Sequence, residues 1–405
     1  MLALARVPLC HMPPDKLAKA IALSHWRAGL YFGDTAWILL ALGILIWAGL
    51  GSQIEKLSQR LSTGQRVQGL IAAPVWLIVL SLLELPAALI GHHVSLQFGL
   101  SIEAWAPWWM DWTKSTLLLV GFGTMVLEAL FALMRHSPRR WWLWFWMFAL
   151  PVEACVVFLA PIVIDPLFNQ FQPLAKTDPA LVDQLERVAA RGGLDIPPKR
   201  IFLMDASRKV TGPNAYVTGL GASKRIVVWD TTIHLESPAE ILFTYGHEQG
   251  HYVLHHVAKG IAFSAPLLLA FFWIASWVLN WMTRHYSVAG DFGNWSSMGS
   301  VLFLAILLSF LADPIANAFS RRIEHQADVY GQEVIHGLVA DPQATAAGSF
   351  CHDAQLWLDN PDPNPFVEFW TYSHPSTEQR AEFAADYDPW HPGGHPQYFR
   401  KQGEH

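Results

Sequence analysis

His247, Glu248 and His251 stand in the run His-Glu-Gln-Gly-His. Residues four apart share one face of a helix, so both imidazoles can reach a single ion. Glu248 is rotated off that face, where it meets a water held by the metal rather than the metal itself. This is the spacing that zinc peptidases use. A chance match is the competing reading, and 18 His in 405 residues make one uncommon. The run also falls where a helix is expected. Ser237-Pro238 is a start signal, and Ile241, Leu242, Tyr245 and Val253 recur at helical spacing.

Two His do not complete a catalytic zinc site. A third protein ligand is needed, with the fourth position open. His255 lies eight residues beyond His247, about 12 Å along a helix, too far to share the ion. His255 and His256 are expected at the helix end, in the favourable field of its dipole. Glu324 is the better candidate, in Ser-Arg-Arg-Ile-Glu-His-Gln-Ala-Asp. Asp328 follows one turn later, and a carboxylate that orients a ligand His is a common companion of such sites. A solvated helix in which Glu324 and Asp328 pair with Arg321 and Arg322 explains the same spacing equally well.

The elements that must position these groups are set in a membrane protein. The chain is 52% hydrophobic and only 15% charged, against about 25% charged for a soluble domain. The apolar residues gather into six expected spans: Thr35–Gly51, Leu70–Ile90, Thr116–Met134, Trp142–Ile164, Ile261–Trp281 and Met298–Phe319. Flanks such as Arg139-Arg140-Trp141-Trp142, and 20 Trp in all, suit the bilayer interface. The net charge of -6 argues against a nucleic-acid partner. Three Cys cannot build a disulfide framework, and none has zinc-finger spacing; Cys155 lies in an apolar run. His11-Met12-Pro13-Pro14 and Arg27 do not suit a signal peptide.

Four regions follow: 1–164 with four spans, 165–259 polar, 260–319 with two spans, and 320–405. In the second, Asp178–Arg191 is expected to be helical and to stop at Gly192-Gly193. Arg200–Met204, Ala215–Thr218 and Arg225–Trp229 read as strands. Ala215–Thr218 suits a sheet edge that pairs with an extended peptide, or an ordinary core hairpin. The sixth span is expected to continue as a helix through Ser320–Ile335. The tail from about Pro361 is expected to be mostly loop. Pro314, after Asp313, is expected to kink the sixth span. Glu84, Glu128 and Glu153 fall inside spans, where an acid either lines water or stabilises helix packing.

The ordered motifs resemble the integral-membrane zinc CAAX prenyl protease family, type 1. The similarity runs through Ala160–Leu174, Asn214-Ala215-Tyr216, Lys224–Val228 with Asp230-Thr231, the zinc helix, Arg321–Glu324 with Gln326-Ala327-Asp328, and Ser373-His374-Pro375 with Arg380. His11–Pro14 and Trp26–Tyr31 join it. The resemblance implies a mostly α fold, a bundle of about six spans enclosing a chamber, with an α+β zinc-protease domain made of a small sheet and the H-E-x-x-H helix. It implies one zinc on His247, His251 and Glu324, with Glu248 as base and Asp328 behind a ligand His. It places Asn214, Ala215 and Tyr216 against substrate, and His374 and Arg380 at the reacting carbonyl, where they can donate to the developing oxyanion.

Two features depart from the family. The chain is expected to start after the family's first span, with six spans where the family has seven, and His325 stands where an aromatic is expected. The implied activity is peptide hydrolysis of CAAX type on a peptide or protein substrate, prenylated or not. The alternatives are a heat-shock-type quality-control protease and a non-catalytic membrane chaperone; the intact Glu248 argues against the latter. The resemblance implies a cytoplasmic protease domain. Lys56, Arg60, Arg66, Arg135, Arg139 and Arg140 share the opposite side, which by the positive-inside rule places the domain outside. Arg6, Lys16, Lys19 and Arg27 on the domain's side weaken that bias.

Overall fold

The computed structural model describes residues 9–399 except Asp195 and Leu220. The membrane half contains α1 (Pro14–Trp47), α2 (Leu50–Leu61), α3 (Gln65–Gln97), α4 (Trp105–His136) and α5 (Trp141–Leu159), which runs through a π turn into α6 (Asp165–Phe168). The polar region holds β1 (Phe171–Pro173), α7 (Pro179–Arg191), β2 (Ile201–Met204), β3 (Ala215–Thr218), β4 (Arg225–Trp229), α8 (Asp230–Leu235) and α9 (Pro238–Val253). Then come α10 (His256–His285), α11 (Met298–Val334), α12 (Pro342–Trp357), α13 (Pro365–Thr371) and α14 (Thr377–Asp386).

Among the described residues, six stretches are long and apolar enough to cross a membrane: Pro14–Trp47, Gln65–Gln97, Trp105–His136, Trp141–Phe168, His256–His285 and Trp295–Val334. Leu40, Trp47, Leu117, Met125, Trp273 and Trp277 on them are exposed, as lipid-facing side chains are. The first helix begins at Pro14, well before the expected Thr35. Its opening turns are too polar for an apolar window because they pack on the protease domain, where Arg27 pairs with Asp359 at 3.2 Å. Pro314 sits inside α11, which continues to Val334. Glu153 accepts from the Ser264 hydroxyl of α10 at 2.9 Å, the packing role rather than a water-lining one.

The sheet order is β1-β2-β4-β3, with β2 and β4 parallel and the outer pairs antiparallel. β3 is therefore an edge strand. Strand β1 is too short, at three residues, to have left a periodic signal. Helix α7 is capped by the Asp178 carboxylate on the Leu181 N–H. Helix α9 starts with a capping box between Ser237 and Glu240, worth about 1 kcal/mol. One apolar core joins α7, α9, α11, α12 and α14, with Leu185, Ile201, Tyr245, Tyr330 and Phe350 buried in it.

The tail is mostly loop, as expected, but two short helices form in it: α13 and α14, capped by Asn364 on the Phe366 N–H and by Ser376 on the Gln379 N–H. Those Asn-Pro and Ser-Thr start signals were masked by surrounding Pro and Asp. The cysteines do form one cross-link, between Cys10 and Cys351, 341 residues apart. Nothing local marks such a pair.

Candidate metal centre and its cavity

Helices α9 and α11 touch along a seam of small residues. A Cβ at Gly331 of α11 would lie 2.8 Å from the His247 backbone nitrogen. One at Gly250 of α9 would lie 3.1 Å from the Ala327 Cα. Glycine at both positions lets the backbones approach until side chains from the two helices meet at one point. Gln249 secures α9 from behind, donating to the Ala189 carbonyl at 3.2 Å.

At that point His247 Nε2 and His251 Nε2 lie 3.1 Å apart. Glu324 Oε2 lies 3.3 Å from the first and 3.5 Å from the second. A tetrahedral ion with bonds of about 2.0–2.1 Å needs its ligand atoms about 3.3–3.4 Å apart, so the three atoms fit one. Glu324 Oε2 is buried and receives no hydrogen bond in good geometry, although three imidazole nitrogens surround it. A carboxylate oxygen surrounded by imidazole nitrogens is a donor set that suits a shared cation. His247, Glu248 and His251 also offer ligand atoms within 4.8 Å of one another.

The partners behind the ligands are specific. His247 Nδ1 lies 2.8 Å from Asp328 Oδ1. Arg380 of α14 holds the same carboxylate with two donors, Nε to Oδ2 at 2.9 Å and Nη2 to Oδ1 at 2.6 Å. Two of its donors are engaged there, and Arg380 also lines the cavity beside His374. Asp328 is also not paired with Arg321 or Arg322. Arg321 donates instead to the Tyr372 carbonyl at 2.6 Å, and Asn317 to the Trp370 carbonyl at 2.6 Å, fastening the loop that carries His374.

His251 has a partner that sequence reasoning missed. Helix α9 ends when His255 turns left-handed at φ 56°. The chain then folds back so that His256 Nδ1 lies 3.0 Å from His251 Nδ1, with its other nitrogen 3.2 Å from Gln326 Oε1. The expected helix end is present, but its His256 serves the ligand rather than the dipole. The i, i+5 spacing crosses a helix break, so no periodic pattern marks it.

Glu248 Oε2 accepts from the Val217 N–H of β3 at 3.0 Å. Burial pushes its carboxyl above the usual range. His374 Nε2 lies 3.1 Å from Glu324 Oε2, its side chain half exposed and its Nδ1 2.9 Å from the Ser373 hydroxyl. His325, next to the presumed ligand, faces away and packs edge-on against Phe383. Asn214, His374 and Arg380 line a cavity of about 580 Å³ together with Glu236, Asp353, Trp357 and Asp359. Ala215 is buried in the core, and the Tyr216 hydroxyl reaches Met204 on the other face of the sheet. Those two residues bring backbone, not side chains, toward the site.

Residues 175–387 match the family model of peptidase family M48. Residues 10–170 match that of the CAAX prenyl protease N-terminal region, five membrane helices. An uncharacterized metalloprotease of Bacillus subtilis, YhfN, is 30% identical over 93% of this chain and 87% of its own. CAAX prenyl protease 1 of Saccharomyces cerevisiae is 28% identical over 76% of this chain and 69% of its own. The fold is that of S. mikatae Ste24p: its crystal structure superposes with a TM-score of 0.80 at 22% identity, covering 95% of this chain and 92% of that one. With the His-Glu-x-x-His group on α9 and, among the described residues, six helices long and apolar enough to cross a membrane, the chain belongs to peptidase family M48 and is a multi-pass membrane metalloprotease.

Proposed function

We propose that the chain is a zinc endopeptidase, with the ion held by His247, His251 and Glu324 and with Glu248 as its base. The observation that carries this reading is the pair of distances around Glu248 and its neighbours. Three ligand atoms lie 3.1–3.5 Å apart, and the Glu248 carboxylate is fixed on the edge strand at 3.0 Å. Zinc bound there supplies polarisation of the scissile carbonyl and a more acidic water.

The side chains do the rest. An extended peptide pairs with the free edge of β3, which sets its scissile bond beside Glu248. Glu248 takes a proton from the attacking water and delivers it to the leaving amine. Its raised pKa suits that exchange. His374 Nε2 donates to the oxyanion as it develops, a contribution of several kcal/mol for one such donor. Asp328 fixes the ring of His247, and Arg380 fixes Asp328, so Arg380 acts as a positioning residue. Asn214 lines the cavity that receives the peptide beyond the cut.

The names of the relatives support C-terminal processing of CAAX type. Purified full-length protein in detergent, given matched CAAX peptides with and without a prenyl group, tests this. The expected result is release of the C-terminal tripeptide, lost in Glu248→Gln while zinc stays at one per chain. Hydrolysis by Glu248→Gln at the parent rate overturns the mechanism. Cleavage only at internal sites overturns the C-terminal specificity.

A further inference from the structure

We infer that the protease domain faces the oxidising, extracytoplasmic side of the membrane, so that its substrates are exported or membrane-inserted polypeptides exposed there. This is the reverse of the orientation implied by family resemblance. It rests on the peptidase reading for its chemistry and narrows the substrate.

The first observation is the Cys10–Cys351 cross-link. Its Cα atoms are 4.8 Å apart, within the range a disulfide spans. Cys10 is buried in the protease-domain core with Phe350 and Ala381. The Leu9 and Cys10 N–H groups both donate to the Glu378 carboxylate, the second at 3.1 Å. The bond thus ties the segment before α1 to α12, beside α14, which carries Arg380. Protein disulfides persist in secretory, periplasmic and extracellular spaces, whereas cytosolic thiols are kept reduced. A structural bond at this place needs the oxidising side.

The second observation is independent of the first. Six crossings put the connections 48–64, 137–140 and 286–294 at one end of the bundle. They pack on one another there: Arg135 donates to the Gly293 carbonyl at 3.2 Å and Trp295 to the Gln65 carbonyl at 3.1 Å. That end carries Lys56, Arg60, Arg66, Arg135, Arg139, Arg140 and Arg284. The remaining short connection, 98–104, has no Lys or Arg and pairs with the protease domain, Ile102 N–H to the Lys209 carbonyl at 2.9 Å. Short basic connections stay in the cytoplasm. Lys16, Lys19, Arg27, Lys114, Lys259, Arg321 and Arg322 lie at the domain ends of the spans and balance the cations at the opposite span ends. Of these, Arg27 pairs with Asp359, Lys114 with Asp111, and Arg321 is held by the Tyr372 carbonyl. The asymmetry is that of the short connections, with Lys56, Arg60, Arg139 and Arg140 on one side and no Lys or Arg in 98–104 on the other. Arg6 lies outside the described residues.

Both observations put the catalytic cavity outside. A chain that acquires a prenyl group in the cytosol would have to cross before reaching it, whereas exported chains arrive directly.

Cysteine labelling in membrane vesicles tests the assignment without using activity. In a Cys155→Ala background, Ala180→Cys or Ala385→Cys marks the domain side, and Thr63→Cys or Gln59→Cys marks the basic side. A membrane-impermeant maleimide should label the first pair in right-side-out vesicles and the second pair only in inside-out vesicles. Acid-trapped, denatured protein without the added cysteines should take up two maleimides only after reduction. The opposite labelling pattern, or free Cys10 and Cys351 thiols at trapping, overturns the inference. Neither result bears on hydrolysis in detergent, so the two proposals fail separately.

Discussion

Arg380 and Asp328 form a two-point ion pair from helices 52 residues apart, with Nη2 at 2.6 Å and Nε at 2.9 Å. The same carboxylate reaches His247 Nδ1 at 2.8 Å, so the tail of the chain is coupled to His247 through Asp328. Arg380→Lys keeps the charge but not the fork. Zinc affinity should fall about 10–100-fold, the usual effect of losing such an outer partner. Chelator competition measures it. Unchanged affinity with a lower kcat would return Arg380 to the carbonyl.

The third ligand is separable from its neighbour. Glu324→Ala should lose zinc, because two nitrogens alone do not hold a structural or catalytic ion. His325→Ala should retain it, since that ring packs on Phe383 away from the ligands. Zinc content of the two purified variants in the reverse order would contradict the assignment.

His374 separates a catalytic role from a structural one. If its Nε2 donates to the oxyanion, His374→Ala should lower kcat by roughly a hundredfold with KM little changed, because the contact strengthens only in the transition state. Zinc should stay near one per chain. A fall in zinc along with activity would make His374, 3.1 Å from Glu324 Oε2, a fourth ligand instead.

His256 should matter although it touches no substrate. His256→Ala removes the group 3.0 Å behind His251, and zinc affinity should fall about 10-fold or more. His256→Asn, which keeps a polar group toward Gln326, should recover part of the loss. Equal affinity in parent and His256→Ala would show that the ring orients nothing.

Glu236 supplies a pH dependence. Burial, together with the Asp353 carboxylate, pushes it up to about 8 from an ordinary 4.5, and the Thr244 hydroxyl donates to it at 3.1 Å. Between those values the folded state keeps a proton that the unfolded state has lost. Stability therefore falls as pH rises through that window. Glu236→Gln should flatten the decline of Tm from pH 5 to pH 8. An unchanged slope would locate the effect in Asp353, itself pushed up to about 7 by burial.

The sequence by itself determined the parts whose signals are local. A four-residue spacing put His247 and His251 on one face, apolar runs marked six spans, and short apolar runs bounded by turn residues placed β2, β3 and β4 to within a residue. Glu324 stayed balanced against a solvated helix, because 73 residues separate it from His251 and spacing carries no information across them. In the tertiary structure the glycine seam brings α11 against α9, so that Glu324 lies within 3.5 Å of both imidazoles. The tertiary structure also decided the groups behind the ligands. Asp328 was equally suited to Arg321, and only the packing of α14 offered Arg380 a buried, two-point approach. His256 reached His251 across a helix break, and Cys10 met Cys351 across nearly the whole chain. Each of these contacts depends on elements distant in sequence closing around a shared core, and periodicity is blind to such closure.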